Sequence, residues 1–575
     1  MNIINEDDID LETTSVEVAR VRADGLGSRR AWLLSLLSLA LYILLIGVLF
    51  GHAIDFHFST VVIGHPGDAG GFVWFLRWWP QALLSGHDPF MTNDIWYPVG
   101  QDLVWSTSVP FLSFLSYPLT LFLTPIAQYN VVLILVLALD AWYGFRLLKR
   151  SSHRFVVAWT AGLLVPFSSY VVGQSLGHLD LVTVFPYLGL LFAIQDLVDA
   201  EGPWSTAWAR LFIYSIISIY VSIELFVDLM VLMLVMGAIY APRASMDGII
   251  ARLRHLFAPT ALFSMALLIF GSIVFLFAVH LRYVSAQFNS PEYFVADLVN
   301  YFVPTVAQGG FGNVVSISAK FLGNDFENGA FIALPSFVAL WFYLRKVEDG
   351  ITKGLFMGLA VIAFVLSFGP FLTVLGNRWF PMPWYVFSGL PVIRDTLPVR
   401  LTFFIVPLIT LAWGYVLQRR NTYLWSILLL FALVAQGPYF GGGSWRFSPD
   451  IPKLFTTNAY RTVFPKGSVL AFANSYIASG QSSIAQADTG FYFRMIGFEA
   501  ASNEIAREPQ LLLPPVVDED IASEVATFRA DLNRLGSQFY VVPTSSYFSH
   551  LTFYRNFKFK FIDGIYVAHS AVGSW

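Results

Sequence analysis

One apolar run after another, each near the length of a membrane crossing and almost free of charge, restricts this chain more than any other feature. A helical span needs about 20 apolar residues, roughly 17–25. The stretches 31–53, 127–148, 155–173, 179–196, 208–223, 225–242, 257–280, 330–344, 354–374, 400–418 and 422–439 fit that length, which makes eleven, with 208–223 and 330–344 the shortest. In lipid a backbone must satisfy its own polar groups, and a helix does so within one segment. Only 13% of the residues are charged, against roughly 25% in soluble domains. The expected fold class is therefore a polytopic α-helical membrane protein. The first run follows Arg29 and Arg30 and is too long for a signal-peptide core, so it reads as a retained span.

The run 107–125 is set aside because Pro110, Pro118 and Pro125 each remove a backbone donor. If it crossed, Arg146, Lys149, Arg150 and Arg154 would face outward, against the positive-inside rule. As a re-entrant or surface hairpin it leaves that cluster in the cytoplasm. Seventeen lysines and arginines then lie inside, against six in the outer loops before residue 440. The N-terminus is expected inside and the C-terminus outside, with 1–30 a cytoplasmic tail without a fold. Residues 31–439 form the membrane module, with large outer loops at 54–126 and 281–329 and a third, rich in Pro and aromatics, at 375–399.

Residues 440–575 lose the long apolar runs. There Ser468–Phe472 and Phe539–Val542 read as strands, 518–535 as an amphipathic helix stopped by Gly536, and Asp563–Gly564 as a hairpin turn. This is expected to be a small extracytoplasmic α/β domain. The absence of cysteine excludes disulfides, thiolate metal sites and a cysteine nucleophile, and a net charge of −4 gives no reason to expect nucleic acid as a partner.

Candidate chemistry gathers in the outer loops. Asp68 stands in a Gly-rich turn beyond the first span, before an aromatic helix whose Phe72, Phe75, Trp79 and Leu83 share one face. That helix would lie in the membrane interface, and partial desolvation would raise the pKa of the neighbouring carboxylate as a general base requires. Asp68 could equally cap the helix. Asp88, Asp94 and Asp102 share the loop and each suits a turn. His178 and Asp180, in GHLDL, stand at the outer mouth between two spans and could bind phosphate or sit at the water interface. Glu224 and Asp228 are one helical turn apart near a span end, where carboxylates face a polar cavity or solvent. Asp297 and Glu327 lie in the second large loop, and such scattered acids do not make a metal site on spacing alone. Arg394 and Arg400, at an outer span end, suit bidentate phosphate recognition, a pair with Asp395, or snorkelling.

Taken together, GDAGGFVWFLRWWPQAL, YPVGQDLVWSTSVP, GHLDL, ADLVNYFVP, FENGAFI, LSFGP and P-x-x-R-x-x-x-P-x-R at 391–400 resemble the integral-membrane glycosyltransferases of the GT-C fold, particularly their bacterial members. The resemblance covers nearly the whole chain through short motifs. It implies a GT-C-like arrangement of spans with a small outer domain in the inner membrane of a bacterium. It also implies a sugar donor linked to polyprenyl phosphate and an inverting transfer, with a carboxylate of the first outer loop as base. That base falls on Asp68, and Arg394 and Arg400, with His178 beside them, match the donor-phosphate contacts. Asp88, Asp180, Glu224, Asp297 and Glu327 are left for the acceptor or for support around the site. The acceptor would be an envelope glycan, lipid or protein. No second acid adjoins Asp68 and no WWD-type motif follows the last span, which leaves the acceptor and the need for a divalent metal open. No other cofactor is implied. The rival readings are a transporter or flippase, a non-catalytic scaffold, and a polysaccharide polymerase or ligase. The first lacks paired repeats, and the last relies on a large late loop where this chain has its largest loop first.

Overall fold

The computed structural model describes residues 31–103, 106–199, 204–240, 290–309, 315–348, 350–389, 396–442, 444–473, 477–498, 528–530, 532–543, 557–563 and 565–569. Four helical segments among them are long and apolar enough to cross a membrane: Ala31–Ala53, Pro125–Arg150, Leu179–Val198 and Pro398–Arg419. Ile223–Tyr240 is a further long apolar helix. Shorter apolar helices occupy Thr206–Ile219, Thr352–Ser367 and Thr422–Gln436. The chain is a helical membrane protein. The span expected at 257–280 lies outside the described residues.

Proline decides where the expected runs break. The run 155–173 is not one helix but two, Phe155–Gly162 and Ser169–Gln174. Pro166 falls between them, where a missing N–H and the ring preclude an uninterrupted helix, and Ser168 caps the second piece through Val171 N at 3.4 Å. In 179–196, Leu179–Val182 and Phe185–Asp199 flank a break just before Pro186. There the buried carboxylate of Asp140 accepts from Val184 N at 3.2 Å and Phe185 N at 2.7 Å, so an acid inside an apolar run starts the next helix. The run 354–374 ends as helix at Ser367 and continues as a strand, Phe371–Val374.

Residues 107–125 fold as a seven-residue helix, Pro110–Ser116, and a 3-10 turn, Tyr117–Leu121. Neither is long enough to cross a membrane, and Leu121 and Phe122 protrude at its tip. Ser113 Oγ donates to the carbonyls of Phe75 and Leu76, which fixes the hairpin against the helix Asp68–Leu84.

That helix departs from the expectation of an interfacial position. Trp74, Trp78 and Trp79 are all buried, and each indole N–H finds a partner: Gln486 Oε1, Pro89 O and Ser108 O. The face expected to meet lipid packs on the hairpin, and the opposite face meets the helix Gln481–Asp488 and Phe491 and Phe498. The helix is buried through most of its length, and Leu83 and Leu84 at its end stay exposed.

A five-stranded sheet is drawn entirely from residues 469–569, in the order Phe559–Ile562, Ile565–His569, Phe539–Pro543, Val469–Phe472, Arg494–Met495. The last three strands run parallel and the first two form a hairpin with Ile562 opposite Ile565; of the expected turn pair, Gly564 lies outside the described residues. Arg446–Phe447 pairs with Val62–Ile63 just upstream of Asp68. Of the helix expected at 518–535, the described residues 528–530 and 532–534 are helical.

Candidate active site

The approach to Asp68 is clamped from three sides. Asn130, on the Pro125–Arg150 helix, donates to Phe58 O and Val61 O and accepts from Ile63 N at 2.9 Å. Gly64 N donates to Trp445 O, and His65 N to Leu176 O at 2.7 Å. Gly64 has φ of 123°, and a Cβ there would stand 2.7 Å from Leu176 O, so both backbone shape and space require glycine. The chain then turns through Gly67 into the helix, with Asp68 as its first residue. The N-cap position falls on Gly67, and the Asp68 side chain hydrogen-bonds His178 instead, which sets aside the capping role. Its side chain is 59% exposed and reaches out to His178.

His178 Nε2 lies 3.1 Å from Asp68 Oδ2, and His178 Nδ1 lies 2.6 Å from Gln174 Oε1. Gln174 Nε2 in turn donates to Glu327 Oε2 at 2.9 Å. Both ring nitrogens of His178 therefore face acceptors, and only the imidazolium can donate to both. Burial pulls the imidazole pKa down, but the hydrogen bond and charge of Asp68, with the charge of Glu327, more than reverse this and raise it to about 9. For Asp68, the protein packed around the exposed side chain removes part of its water and pushes upward, but this is outweighed by the hydrogen bond and charge of His178, with Arg400 and His65 adding to it, so the carboxyl sits below its usual range. The raised pKa expected of a base is thus corrected, because the partner cation wins over desolvation.

Behind this pair runs a buried ladder. Arg400 Nε donates to Glu327 Oε2 at 3.1 Å and Nη2 to Glu327 Oε1, while Nη1 donates to Glu224 Oε2. Glu224 Oε1 also accepts from Leu397 N at 2.9 Å. Burial raises the Glu327 carboxyl, but the charge and hydrogen bonds of Arg400 and the charge of His178 outweigh it and hold the group low. Charges alternate along the row Asp68, His178, Glu327, Arg400, Glu224. The Arg400 guanidinium, expected on a donor phosphate, is engaged with two carboxylates, and Arg400 is only 8% exposed. It braces the site from within.

The remaining candidates separate. Asp180 is buried two residues beyond His178, and among the described residues its Oδ1 has no hydrogen-bond partner. Asp88 turns its own loop by accepting from Phe90 N at 2.9 Å, in the segment that folds back on Trp78 and Trp79. Asp297 is buried and caps a 3-10 turn through Val299 N while accepting from Gly376 N at 2.8 Å; it holds the second loop to a hairpin rather than joining the site. Arg394 and Asp395 lie outside the described residues. Sequence reasoning missed Gln174 and Asp140. The four-residue step from Gln174 to His178 was the available sign of the first, since such spacing brings side chains together around one helical turn. Among the described residues no group of three or more His, Asp or Glu could hold a metal ion.

In solved structures, the chain is similar to an oligosaccharyltransferase of Archaeoglobus fulgidus in its apo form at 11% identity and a TM-score of 0.48, covering 88% of this chain and 69% of that one. It is similar to ArnT of Cupriavidus metallidurans bound to undecaprenyl phosphate at 13% identity and a TM-score of 0.49, covering 93% and 98%. It is also similar to the arabinofuranosyltransferase AftD from Mycobacteria at 14% identity and a TM-score of 0.49, covering 88% and 36%. No curated protein sequence matches it. Residues 33–437 match the family described as a domain of unknown function (DUF6311), and the chain belongs to that family.

Proposed function

We propose that the chain transfers a sugar from a polyprenyl-phosphate-linked donor to an envelope glycan, lipid or protein acceptor at the outer face of a bacterial inner membrane. The observation that carries this reading is the contact between the exposed Asp68 carboxylate and His178, held by a buried row of alternating charge. The resemblance of the sequence to GT-C glycosyltransferases supplies the substrate class. Eleven spans, with the 107–125 hairpin roofing the site and residues 440–575 as an outer domain, complete the proposed architecture.

In this reading the acceptor hydroxyl hydrogen-bonds to the free face of Asp68. As the bond from sugar carbon to phosphate oxygen lengthens, positive charge on the sugar makes the attacking hydroxyl acidic. A carboxylate of low pKa can then take its proton late, and inversion follows from attack opposite the departing phosphate. The leaving phosphate gains charge in the same step. The His178 imidazolium is the nearest cation that can stabilise it, and Arg394 is the candidate for a second contact. Such preorganised charge is worth most where it meets developing charge. Arg400 acts through Glu327 and Gln174 by fixing the ring of His178, and every step is assigned to the chain's own side chains.

The test uses purified protein in nanodiscs with a panel of polyprenyl-phosphate sugars and envelope glycan fractions, following donor loss by mass spectrometry. Wild type should consume one donor, and Asp68→Asn should slow turnover by roughly 10²–10⁴-fold, the usual worth of a positioned acid–base group. Turnover that survives Asp68→Asn sinks the assigned base and leaves the reaction class standing.

A further inference from the structure

At the other end of the bundle, four helix ends enclose a cavity of about 670 Å³ lined by His153, Lys346, Glu348, Lys353, Tyr415 and Arg419 among others. The helical run Pro398–Arg419 carries Arg400 near its start and Arg419 at its end, which separates the two by roughly 30 Å. That is about the thickness of a bilayer's hydrocarbon core. The cavity thus opens at the membrane face opposite Asp68.

Most cations at this end already have partners. Arg150 and Arg210 share Asp196, while Arg146, Arg345 and Arg420 stack over Trp142, Trp341 and Phe342. Lys346 and Arg419 differ: both line the cavity, and among the described residues neither has an ion pair or an aromatic ring beneath it. Lys353, only 7% exposed, is locked by its ammonium donating to Leu344 O at 2.9 Å and Val347 O at 2.7 Å, the last carbonyls of the helix Leu334–Lys346. The helix Ile351–Ser367 begins at the cavity wall with no side-chain cap, adding the positive end of its dipole. Among the described residues, three cations from three helix ends and one acid, Glu348, line the cavity. Basic side chains at a span end are ordinary, but here they line a concave space rather than radiating from a surface.

We propose that this cavity binds a phosphate group, carried on an anionic lipid headgroup or on a small soluble phosphate. The volume falls within the range of small-ligand sites, roughly 300–1,000 Å³, and basic pockets between spans are suited to phospholipid headgroups. The site is separate from the sugar-transfer reading and stands or falls without it.

Full-length protein would be placed in nanodiscs of phosphatidylcholine with a minor fraction of phosphatidylglycerol, and retained lipid read by native mass spectrometry. In parallel, inorganic phosphate and glycerol 3-phosphate would be titrated into protein in phosphatidylcholine alone, by calorimetry. Wild type is expected to retain the anionic lipid, or to bind a soluble phosphate saturably, and Lys346→Gln/Arg419→Gln should weaken either by about tenfold or more. Lys346→Arg/Arg419→Lys should keep it. Lipid retention that soluble phosphate does not displace identifies the headgroup as ligand. Saturable phosphate binding without lipid enrichment identifies the soluble form. Equal lipid retention and equal phosphate heats in wild type and the glutamine pair, with unchanged melting temperatures, overturn the site.

Discussion

His178 Nε2 stands 3.1 Å from Asp68 Oδ2 across 110 residues of sequence, and the pair makes stability depend on pH. The folded imidazole titrates near 9 and the unfolded one near its ordinary 6.5. A raised folded pKa contributes its full stabilisation below pH 6.5 and loses it as pH climbs towards 9. With the carboxylate well exposed, the loss should be about 1–2 kcal/mol. Melting of detergent-solubilised wild type should fall across that window, and Asp68→Asn should flatten the curve. A wild-type curve as flat as the variant's would mean that His178 is neutral in the folded protein.

Arg400 should be the most costly single position in the site. Its truncation leaves Glu327 and Glu224 buried without their shared cation, and removing one partner of a buried ion pair costs roughly 3–5 kcal/mol. Arg400→Leu is expected to lose that much in a thermal or denaturant melt. Adding Glu327→Gln should recover part of the loss, because the stranded charge disappears with it. A double variant no more stable than Arg400→Leu would show that the two groups are not coupled. Arg400→Lys should rescue poorly, since an ammonium cannot serve two carboxylates through a planar fork.

Residues such as Arg400 mark the limit of what sequence reasoning reaches. Apolar length found the long helices within 31–53, 127–148, 179–196 and 400–418, and the strand pattern found Ser468–Phe472 and Phe539–Val542, because those signals are local. Asp68 and His178 were legible as isolated polar groups beside glycine turns. Their contact was not, nor was the pairing of Arg400 with acids 73 and 176 residues away, because distance in sequence carries no trace of which loop faces which. The burial of Trp74 was hidden likewise: its cover comes from residues past 480, and the tryptophan-rich helix alone reads as interfacial.

Gln486 should act as the peg between that helix and the C-terminal segment. Its Oε1 accepts from Trp74 Nε1 at 2.6 Å, and its Nε2 donates to Asp94 O and Phe493 O. Gln486→Ala leaves an indole N–H without its partner and two carbonyls without one of theirs in a closed interface, at about 1–3 kcal/mol for each group that stays unpaired. Limited proteolysis is expected to cut the segment after residue 440 faster than in wild type while the membrane helices stay intact. Unchanged cleavage would place the strength of this contact in the aromatic packing of Trp74 on Phe491 and Phe498 instead.

Gly70 offers a test of how closely the position of Asp68 is controlled. A Cβ at Gly70 would lie 2.5 Å from Gly480 O, and one at Gly480 would lie 2.6 Å from Gly67 O and 2.9 Å from the Gly70 Cα. Backbone meets backbone here, so neither side can yield by turning a side chain. Gly70→Ala should push the first turn of the helix from the Gly480 loop, two residues from Asp68, at about 1–3 kcal/mol, the usual cost of overpacking. Gly480→Ala should cost more, since its φ of 72° also disfavours a side chain. Once one methyl has opened the contact the second finds room, so the double variant should lose less than the two singles together. Melting temperatures of the four proteins measure that shortfall. Donor turnover should fall in Gly70→Ala even where the melt is nearly unchanged, because a shift of about 1 Å at a catalytic carboxylate can cost a hundredfold in rate. Additive losses with full turnover would mean that the two glycines yield independently and that Asp68 is positioned by the clamp at Ile63 and His65 instead.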